Sequence, residues 1–155
     1  MRTQHAIRVA APGDLPQILA IEKASFGEDA YDCKLFAHLL RRCGGLFLVA
    51  ERKRGVCGYM VTCIRGGQDR TRAELVSVAV DPQQRGGGTA SALLESTLRR
   101  LRRRGVGRLN LVVRAGNYAA VALYEKYGFR RLRRVPGYYE DGADGIAMAR
   151  PVTGR

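Results

Sequence analysis

The chain has 155 residues, of which 46% are hydrophobic, so it is long enough to form one domain with a buried core. Lys and Arg total 27 against 14 acidic residues, a formal charge of +13 that favours polyanionic surroundings such as nucleic acid, ribosomes, acidic peptides or a phosphorylated cofactor. No apolar run approaches the roughly 18–20 residues of a membrane span, and "MRTQHAIRVAAPGD" has no apolar signal core, so we expect a cytoplasmic protein without membrane contact.

The first half of the chain predicts a strand, two helices and a hairpin. Apolar residues at helical spacing follow Asp14, a candidate N-cap, and predict a helix within 12–26. The other elements of this half are a strand at 6–10, a short helix at 33–42, and strands at 46–52 and 55–66 joined by a basic turn.

The second half predicts alternating strands and helices. A polar loop at 66–72 leads to a strand at 73–80. The elements that follow are a helix at 88–104, a strand at 107–115, a helix at 117–128, and strands at 129–135 and 144–150 around the loop "PGYYEDGAD". Neither an internal repeat nor a linker interrupts this order, so we expect a single mixed α/β domain over 1–155.

Four cysteines are spread through the first half of the chain. Cys33, Cys43, Cys57 and Cys63 lack the CxxC spacing of a zinc or redox site, and the chain has only two histidines. We therefore expect reduced cysteines and no metal site.

Three consecutive glycines, Gly86 to Gly88, stand between the strand at 73–80 and the helix at 88–104. Glycine allows an anion to approach the backbone closely, and the free amides and dipole of a helix N-terminus favour negative charge. Arg85 adds a charged donor beside them. The segment therefore predicts a pyrophosphate site, although it lacks the Gly-Lys-Ser/Thr of a P-loop and stands too late in the chain for a dinucleotide-binding motif.

The same segment resembles motif A of the GNAT family of N-acetyltransferases. The residues 85–90, "RGGGTA", fit the pattern Gln/Arg-x-x-Gly-x-Gly/Ala and follow "VAVDP", while "LVVRAGNYAAVALYEKYGF" (111–129) resembles motif B. The resemblance extends over nearly the whole chain. It implies the GNAT fold, an α/β architecture whose central sheet is mixed and mostly antiparallel, with helices on both faces and splayed parallel strands 4 and 5.

The resemblance also implies acetyl-CoA as the acetyl donor and no metal cofactor. In the family, backbone amides at the start of the central helix bind the pyrophosphate, and the end of the preceding strand pairs with the pantetheine. Carried over, the pyrophosphate residues are Arg85, Gly86, Gly87, Gly88, Thr89, Ala90 and Ser91, and the pantetheine residues are Val78, Ala79, Val80 and Asn117.

Two further stretches indicate the acceptor. "VRAGNYAAVALYEKYGF" is similar to the bacterial ribosomal-protein alanine N-acetyltransferases, and "PGYYEDGADGIAMAR" resembles the Tyr-Tyr-x-Asp-Gly-x-Asp pattern of N-terminal acetyltransferase catalytic subunits. By this resemblance Tyr138 and Tyr139 cover the substrate N-terminus, while "SFGEDAY" (25–31), with Phe26 and Tyr31, lines the other side. The implied partner is a protein or peptide N-terminus, with ribosomal proteins among the candidates, and the chain would act as a monomer or homodimer.

Acetyl transfer to an amine requires one proton to leave the amine and one to reach the departing thiolate. Tyr124 occupies the family position of the general acid. A phenol with the ordinary pKa of about 10 can protonate a thiolate whose conjugate acid has a pKa of about 8.5.

The general base is where the sequence departs from its relatives. The ribosomal-protein alanine acetyltransferases carry a glutamate at the position of Val112, which has no acid–base chemistry. Glu74 matches the Ala-Glu-Ile pattern of histone acetyltransferases, in which that glutamate is the base, and simple alternation would place it on one apolar face with the valines at 76, 78 and 80. Glu28 is a second candidate, and a water chain or the absence of a dedicated base is a third.

The pKa of the acceptor amine bears on how much the reaction needs a general base. An α-amine is roughly 10–30% neutral near neutral pH, whereas a lysine is neutral only in about one molecule in a thousand. Losing a strong base therefore matters less for an α-amine, so Val112 and the tyrosine loop together predict an enzyme that acetylates protein N-termini. The alternatives are a small-molecule amine or protein-lysine acetyltransferase, lysine being favoured if Glu74 is the base, and a non-catalytic acetyl-CoA-binding module.

Overall fold

One seven-stranded sheet organises the molecule in the computed structural model, which describes residues 6–65 and 72–152. The predicted polar loop lies outside these residues except for Arg72, which begins a strand. The strands are β1 (Ala6–Val9), β2 (Phe47–Arg52), β3 (Gly55–Ile64), β4 (Arg72–Val80), β5 (Arg108–Arg114), β6 (Arg130–Val135) and β7 (Gly145–Pro151), in the order β1-β2-β3-β4-β5-β7-β6. Only β4 and β5 are parallel, and this mixed sheet confirms the predicted fold class.

Four helices cover the two faces of the sheet: α1 (Leu15–Phe26), α2 (Cys33–Cys43), α3 (Thr89–Arg103) and α4 (Tyr118–Lys126). The helices α1 and α2 pack on one face around Phe36, Phe47 and Tyr59, all fully buried. On the other face α3 and α4 pack over a second core that contains Leu93 and Met148. In the described part of the chain, no helix is long and apolar enough to cross a bilayer.

The parallel strands β4 and β5 separate soon after they begin. They pair over three positions, from Arg72 opposite Arg108 to Glu74 opposite Asn110. Beyond this point β4 continues to Val80 and β5 to Arg114 without pairing to each other. The splayed strands predicted for the fold therefore leave a cleft in the middle of the sheet, with strand backbone available on its β4 side.

A β-bulge interrupts β4 beside this cleft. Val61 of β3 lies opposite Ser77 and Thr62 lies opposite Leu75, so Val76 is the extra residue. A bulge reverses the alternation of side chains that follows it. Val76 accordingly packs in the α1/α2 core and Val78 in the α3/α4 core, so the prediction that Glu74 shares one face with the valines at 76, 78 and 80 was wrong.

Asp14 joins β1 to α1 through its carboxylate, although it does not cap α1 as predicted. The carboxylate makes no capping bond to α1. It accepts hydrogen bonds from the Ala11 amide at 2.7 Å and from both terminal nitrogens of Arg8 at 2.8 and 2.9 Å. The Arg8 guanidinium, through these hydrogen bonds, lowers the pKa of Asp14.

The structure pairs two of the four cysteines. Cys43, at the end of α2, forms a disulfide with Cys63 on β3, with their Cα atoms 4.8 Å apart. Cys33 is exposed and Cys57 is buried, and both are free. The expectation of four reduced cysteines was therefore wrong for this pair, because sequence spacing does not reveal that the end of α2 packs against β3.

Candidate active site

The glycine turn leads from β4 into α3. A short 3₁₀ turn at Pro82–Gln84, whose start is held by a hydrogen bond of 3.0 Å from the Gln83 amide to Asp81, precedes it. Gly86 and Gly88 have φ angles of +86° and +81°, which residues with a side chain rarely adopt. Gly88 has no side chain with which to cap α3, and an uncapped helix start suits an anion bound at this turn.

Two arginines lie close to this turn. Arg85 folds back over β4, where its Nε donates to the Val80 carbonyl and its Nη2 donates to Ser25 Oγ, both at 3.2 Å. Arg52, from the end of β2, donates to Gln84 Oε1 at 3.1 Å. Arg52 was not predicted, because nothing in the sequence of a hairpin strand distinguishes an arginine that reaches a later turn.

Asn117 lies between β5 and α4 and caps the N-terminus of α4. Its Oδ1 accepts a hydrogen bond from the Ala120 amide at 3.1 Å. The structure thus assigns a local role to a residue for which the sequence predicted contact with a pantetheine arm.

Tyr124 lies on the inner face of α4 and is only 6% exposed. Its ring packs edge-on against Phe129, with centroids 5.4 Å apart. Burial, with a smaller contribution from the neighbouring Tyr139, raises the pKa of Tyr124 to about 12. Within the described residues its hydroxyl has no hydrogen-bond partner, which leaves it free to donate to a bound group.

Three tyrosines from two loops are neighbours beside the cleft between β4 and β5, where Tyr138 packs next to Val112 of β5 and the charges of Tyr138 and of Glu74 on β4 act on Tyr31. Tyr31 comes from the segment between α1 and α2, while Tyr138 and Tyr139, whose rings are 4.9 Å apart, come from the segment between β6 and β7. Burial raises the pKa of Tyr31, and the charges of Glu22, Tyr138 and Glu74 raise it further, so these groups are electrostatic neighbours. The structure therefore brings together three of the predicted acceptor residues.

The loop between β6 and β7, which carries Tyr138 and Tyr139, packs directly on β5 at the position of Val112. A Cβ atom added to Gly145 would lie 2.6 Å from Val112 Cγ1 and 3.3 Å from Tyr138 Cβ, so only glycine allows this approach.

The fourth predicted acceptor residue, Phe26, ends α1 and is 42% exposed.

The two candidate bases differ in their surroundings. The Glu74 carboxylate pairs with Arg65 at 2.9 Å, and its side chain is 39% exposed, so it does not lie in the apolar setting that alternation predicted. Its charge still acts on Tyr31 at the cleft. Glu28 is exposed in the turn Gly27–Asp29 that follows α1.

A buried carboxylate that the sequence analysis missed holds the α1–α2 segment to the sheet. Glu22, only 1% exposed, accepts hydrogen bonds from the Tyr31 amide at 2.9 Å and from the Tyr59 hydroxyl. The Tyr59 hydroxyl also lies 2.9 Å from Ser77 Oγ, next to the β4 bulge. No sequence signal distinguishes this glutamate from the exposed acids of an amphipathic helix.

Arg114, the last residue of β5, was also missed. Its Nη1 lies 2.9 Å from Asp141 Oδ2, its Nη2 lies 3.7 Å from Asp29 Oδ2, and its Cζ lies 4.3 Å from the centre of the Tyr139 ring. A charged residue at the end of the apolar run "LVVR" was the available signal.

Comparison with known proteins agrees with this architecture. Residues 15–129 match the acetyltransferase (GNAT) family, and the chain belongs to that family. It is an acyltransferase of the N-acetyltransferase type.

Individual relatives point to a narrower group. The chain is 33% identical to an N-alpha-acetyltransferase of Saccharolobus solfataricus over 94% of this chain and 92% of that protein. It is 45% identical over 84 residues, 52% of this chain and 57% of the other, to the [ribosomal protein bS18]-alanine N-acetyltransferase of Escherichia coli K12. Its structure superposes on that of Ard1 from Thermoplasma volcanium with a TM-score of 0.91, 30% identity, and coverage of 98% of this chain and 100% of that one.

Proposed function

We propose that this enzyme transfers an acetyl group from acetyl-CoA to the N-terminal α-amine of a protein or peptide in the cytoplasm. The observation that carries the proposal is that two separate loops bring Tyr31, Tyr138 and Tyr139 beside the cleft, where Tyr138 packs next to Val112 of β5 and Tyr139 lies 4.3 Å from Arg114. Aromatic walls with polar tips suit an extended peptide end, whose backbone needs hydrogen bonds while its first side chain needs apolar contact. The N-alpha-acetyltransferase relative supports the same acceptor.

The donor site would lie on the other side of the cleft. The amides of residues 85–91 would hold the pyrophosphate, and the backbone of Val78, Ala79 and Val80 would pair with the pantetheine. The left-handed glycines and the uncapped start of α3 fit this group. Because Arg85 donates to the Val80 carbonyl, that guanidinium would exchange this carbonyl for a phosphate oxygen when the donor binds.

Tyr124 would act on the sulfur. As the amine nitrogen bonds to the thioester carbon and the carbon–sulfur bond breaks, one proton leaves the nitrogen and one must reach the sulfur. Complete transfer from a phenol of pKa about 12 to a thiolate of conjugate pKa about 8.5 is unfavourable by about 5 kcal/mol. Tyr124 would therefore stabilise the departing thiolate mainly by donating a hydrogen bond to it.

Glu74 is the first candidate to take the proton from the amine, and Glu28 is the second. The proximity of Glu74 to Tyr31 supports the first choice. Acetylation of an α-amine depends only weakly on a general base, since a substantial fraction of the amine is already neutral at physiological pH.

Mass spectrometry of peptides incubated with the protein and acetyl-CoA tests this function. Each peptide carries a free N-terminus, one internal lysine and a different first residue. We expect acetyl groups on the α-amine alone, with the preferred first residue indicating the natural target, ribosomal proteins included. Acetylation of the lysine would instead identify a lysine acetyltransferase, and no acetylation of any peptide would direct attention to small amines.

We also propose that the basic surface contacts polyanions, such as RNA around a ribosomal acceptor. Arg99, Arg100 and Arg103 of α3 line a surface cavity of about 340 Å³ together with Ile7 and Ser96. Within the described ranges no carboxylate pairs with these three arginines. Replacing all three by alanine should flatten the salt dependence of single-stranded RNA binding by about 0.7 per lost phosphate contact in a log–log plot. The matched control is the exposed triple Arg41→Ala, Arg42→Ala and Arg54→Ala, and equal slopes for the two triples would contradict this proposal.

A further inference from the structure

Arg114 joins the two loops that flank the acceptor cleft. Its Nη2 lies 3.7 Å from Asp29 Oδ2, in the turn that follows α1. Its Nη1 lies 2.9 Å from Asp141 Oδ2, between β6 and β7, and its Cζ lies 4.3 Å from the ring centre of Tyr139 in the same loop. Among the described residues, no other side chain makes ion pairs with both loops.

Among the described residues, the other hydrogen bonds and ion pairs of each loop do not reach the other loop. The α1–α2 segment is fastened by the bond from the Tyr31 amide to Glu22. The β6–β7 loop is closed on itself by the bond from the Tyr139 amide to the Ala143 carbonyl at 3.1 Å, and Asp144 accepts from the Gly137 amide at 2.9 Å. These bonds shape each loop but do not set the distance between the two.

The chemistry of the contact requires arginine. A planar guanidinium presents donors on two edges and a face to an aromatic ring, so it can bind two carboxylates and one tyrosine at once. A lysine ammonium has neither the fork nor the face. Because Asp29 and Asp141 are 59% and 51% exposed, these ion pairs add little to global stability, and their consequence is the spacing of the loops.

We propose that Arg114 is a positioning residue that clamps the two walls of the acceptor groove at the separation needed to hold a peptide N-terminus. This inference rests on the proposed function, because it assigns a role to the groove in which the α-amine would be bound. Arg114 acts through Tyr139 and through the segment that carries Tyr31, and it does not contact the reacting atoms.

Steady-state kinetics of Arg114→Ala, Arg114→Lys and Arg108→Ala test the clamp. Arg108 is the matched control, since it begins the same strand, is itself exposed, and donates from Nε to Asn110 Oδ1 at 3.0 Å. Loosening the groove should raise the KM for a peptide about tenfold or more, while the KM for acetyl-CoA stays within about twofold. Arg114→Lys should reverse less than half of the increase in peptide KM, and Arg108→Ala should have the same peptide KM as the parent enzyme. An unchanged peptide KM in Arg114→Ala would overturn the proposal.

Hydrogen exchange gives a readout that does not depend on turnover. In Arg114→Ala, amides at 27–31 and at 137–144 should exchange faster together, whereas those of β5 and α3 should keep their protection. Asp141→Asn should loosen the same two segments, and adding it to Arg114→Ala should have no further effect. Unchanged exchange in either segment would overturn the clamp even if activity fell. If the parent enzyme acetylates no peptide, the proposed function fails, while the exchange data still decide whether Arg114 joins the loops.

Discussion

Tyr124 illustrates how burial prepares one side chain for its proposed task. Its ring is enclosed by the α3/α4 core, and only the hydroxyl is left without a protein partner among the described residues. Because burial favours the neutral form, the phenol keeps its proton at every pH at which the enzyme would work. A protonated donor is what a departing thiolate requires.

Replacing this tyrosine by phenylalanine should remove the hydrogen bond to sulfur without disturbing the packing. We expect Tyr124→Phe to lower kcat by about 10²- to 10⁴-fold and to leave the Kd for acetyl-CoA unchanged. Since the pKa of Tyr124 is about 12, the ratio of parent to variant rates should be constant from about pH 6 to pH 9. Rate profiles across this range measure it, and a ratio that shrinks above pH 8 would contradict the assignment.

The two acidic candidates can be separated by the same kind of substitution. If Glu74 receives the amine proton, Glu74→Gln should lower kcat/KM by about tenfold with an α-amine peptide, because roughly a tenth or more of that amine is already neutral, and Glu28→Gln should lower it by less than about threefold. Glu28→Gln is a matched control because it removes one carboxylate from the acceptor side of the molecule. The reverse order would favour Glu28, and two fully active variants would indicate a water chain or no dedicated base.

At the scale of elements, two specific contacts join the helices α1 and α2 to the sheet in addition to their apolar packing. Glu22 ties the end of α1 to β3 through Tyr59, and the Cys43–Cys63 disulfide ties the end of α2 to the same strand. The segment between these two helices carries Tyr31, so its position at the cleft depends on both contacts. The bulge in β4 lies beside them and turns Ser77 toward Tyr59.

The disulfide should contribute measurably to the stability of this pair of elements. It closes a sequence separation of 20 residues, for which chain entropy predicts about 3 kcal/mol of unfolding free energy. Reduction, or Cys63→Ser, should lower stability in denaturant titrations by that amount, whereas Cys33→Ser should have no effect. Alkylation of the unfolded, unreduced protein should label two cysteines, and four labels would show that the pair is reduced.

At the scale of the whole molecule, buried phenols make the stability depend on alkaline pH. Burial raises the pKa of both Tyr59 and Tyr124 above the ordinary value, and Tyr124 reaches about 12. A group with a raised pKa contributes its full stabilisation below its unfolded pKa and loses it as the pH rises through the folded value. Folding should therefore weaken progressively from about pH 10 upward.

Thermal unfolding at alkaline pH tests this linkage. Between pH 10 and pH 12 the parent protein should lose roughly 2–3 kcal/mol through Tyr124 alone, since its pKa rises by about two units. Tyr124→Phe should show a shallower fall in Tm over that range. Tyr118→Phe, at a position 81% exposed, should follow the parent curve, and equal slopes in all three proteins would refute the argument.

Local chemistry made much of the fold predictable. The order and type of all eleven helices and strands in the described residues followed from hydrophobic period, turn residues and glycines, because these signals act over a few neighbouring residues. The glycine turn before α3 was found in the same way, since a positive φ demands glycine wherever it occurs. The two tyrosines of the β6–β7 loop were identified by their resemblance to a known motif.

The sequence by itself determined which segments form strands and helices, where the backbone turns at the glycines before α3, and which aromatic residues the loops carry. Only the tertiary structure decided that β4 bulges at Val76, that Glu22 is buried against Tyr59 of β3, that Cys43 meets Cys63, and that Arg114 spans two loops. Each of these depends on segments distant in the chain that come within a few ångströms, and no local period or spacing encodes that distance.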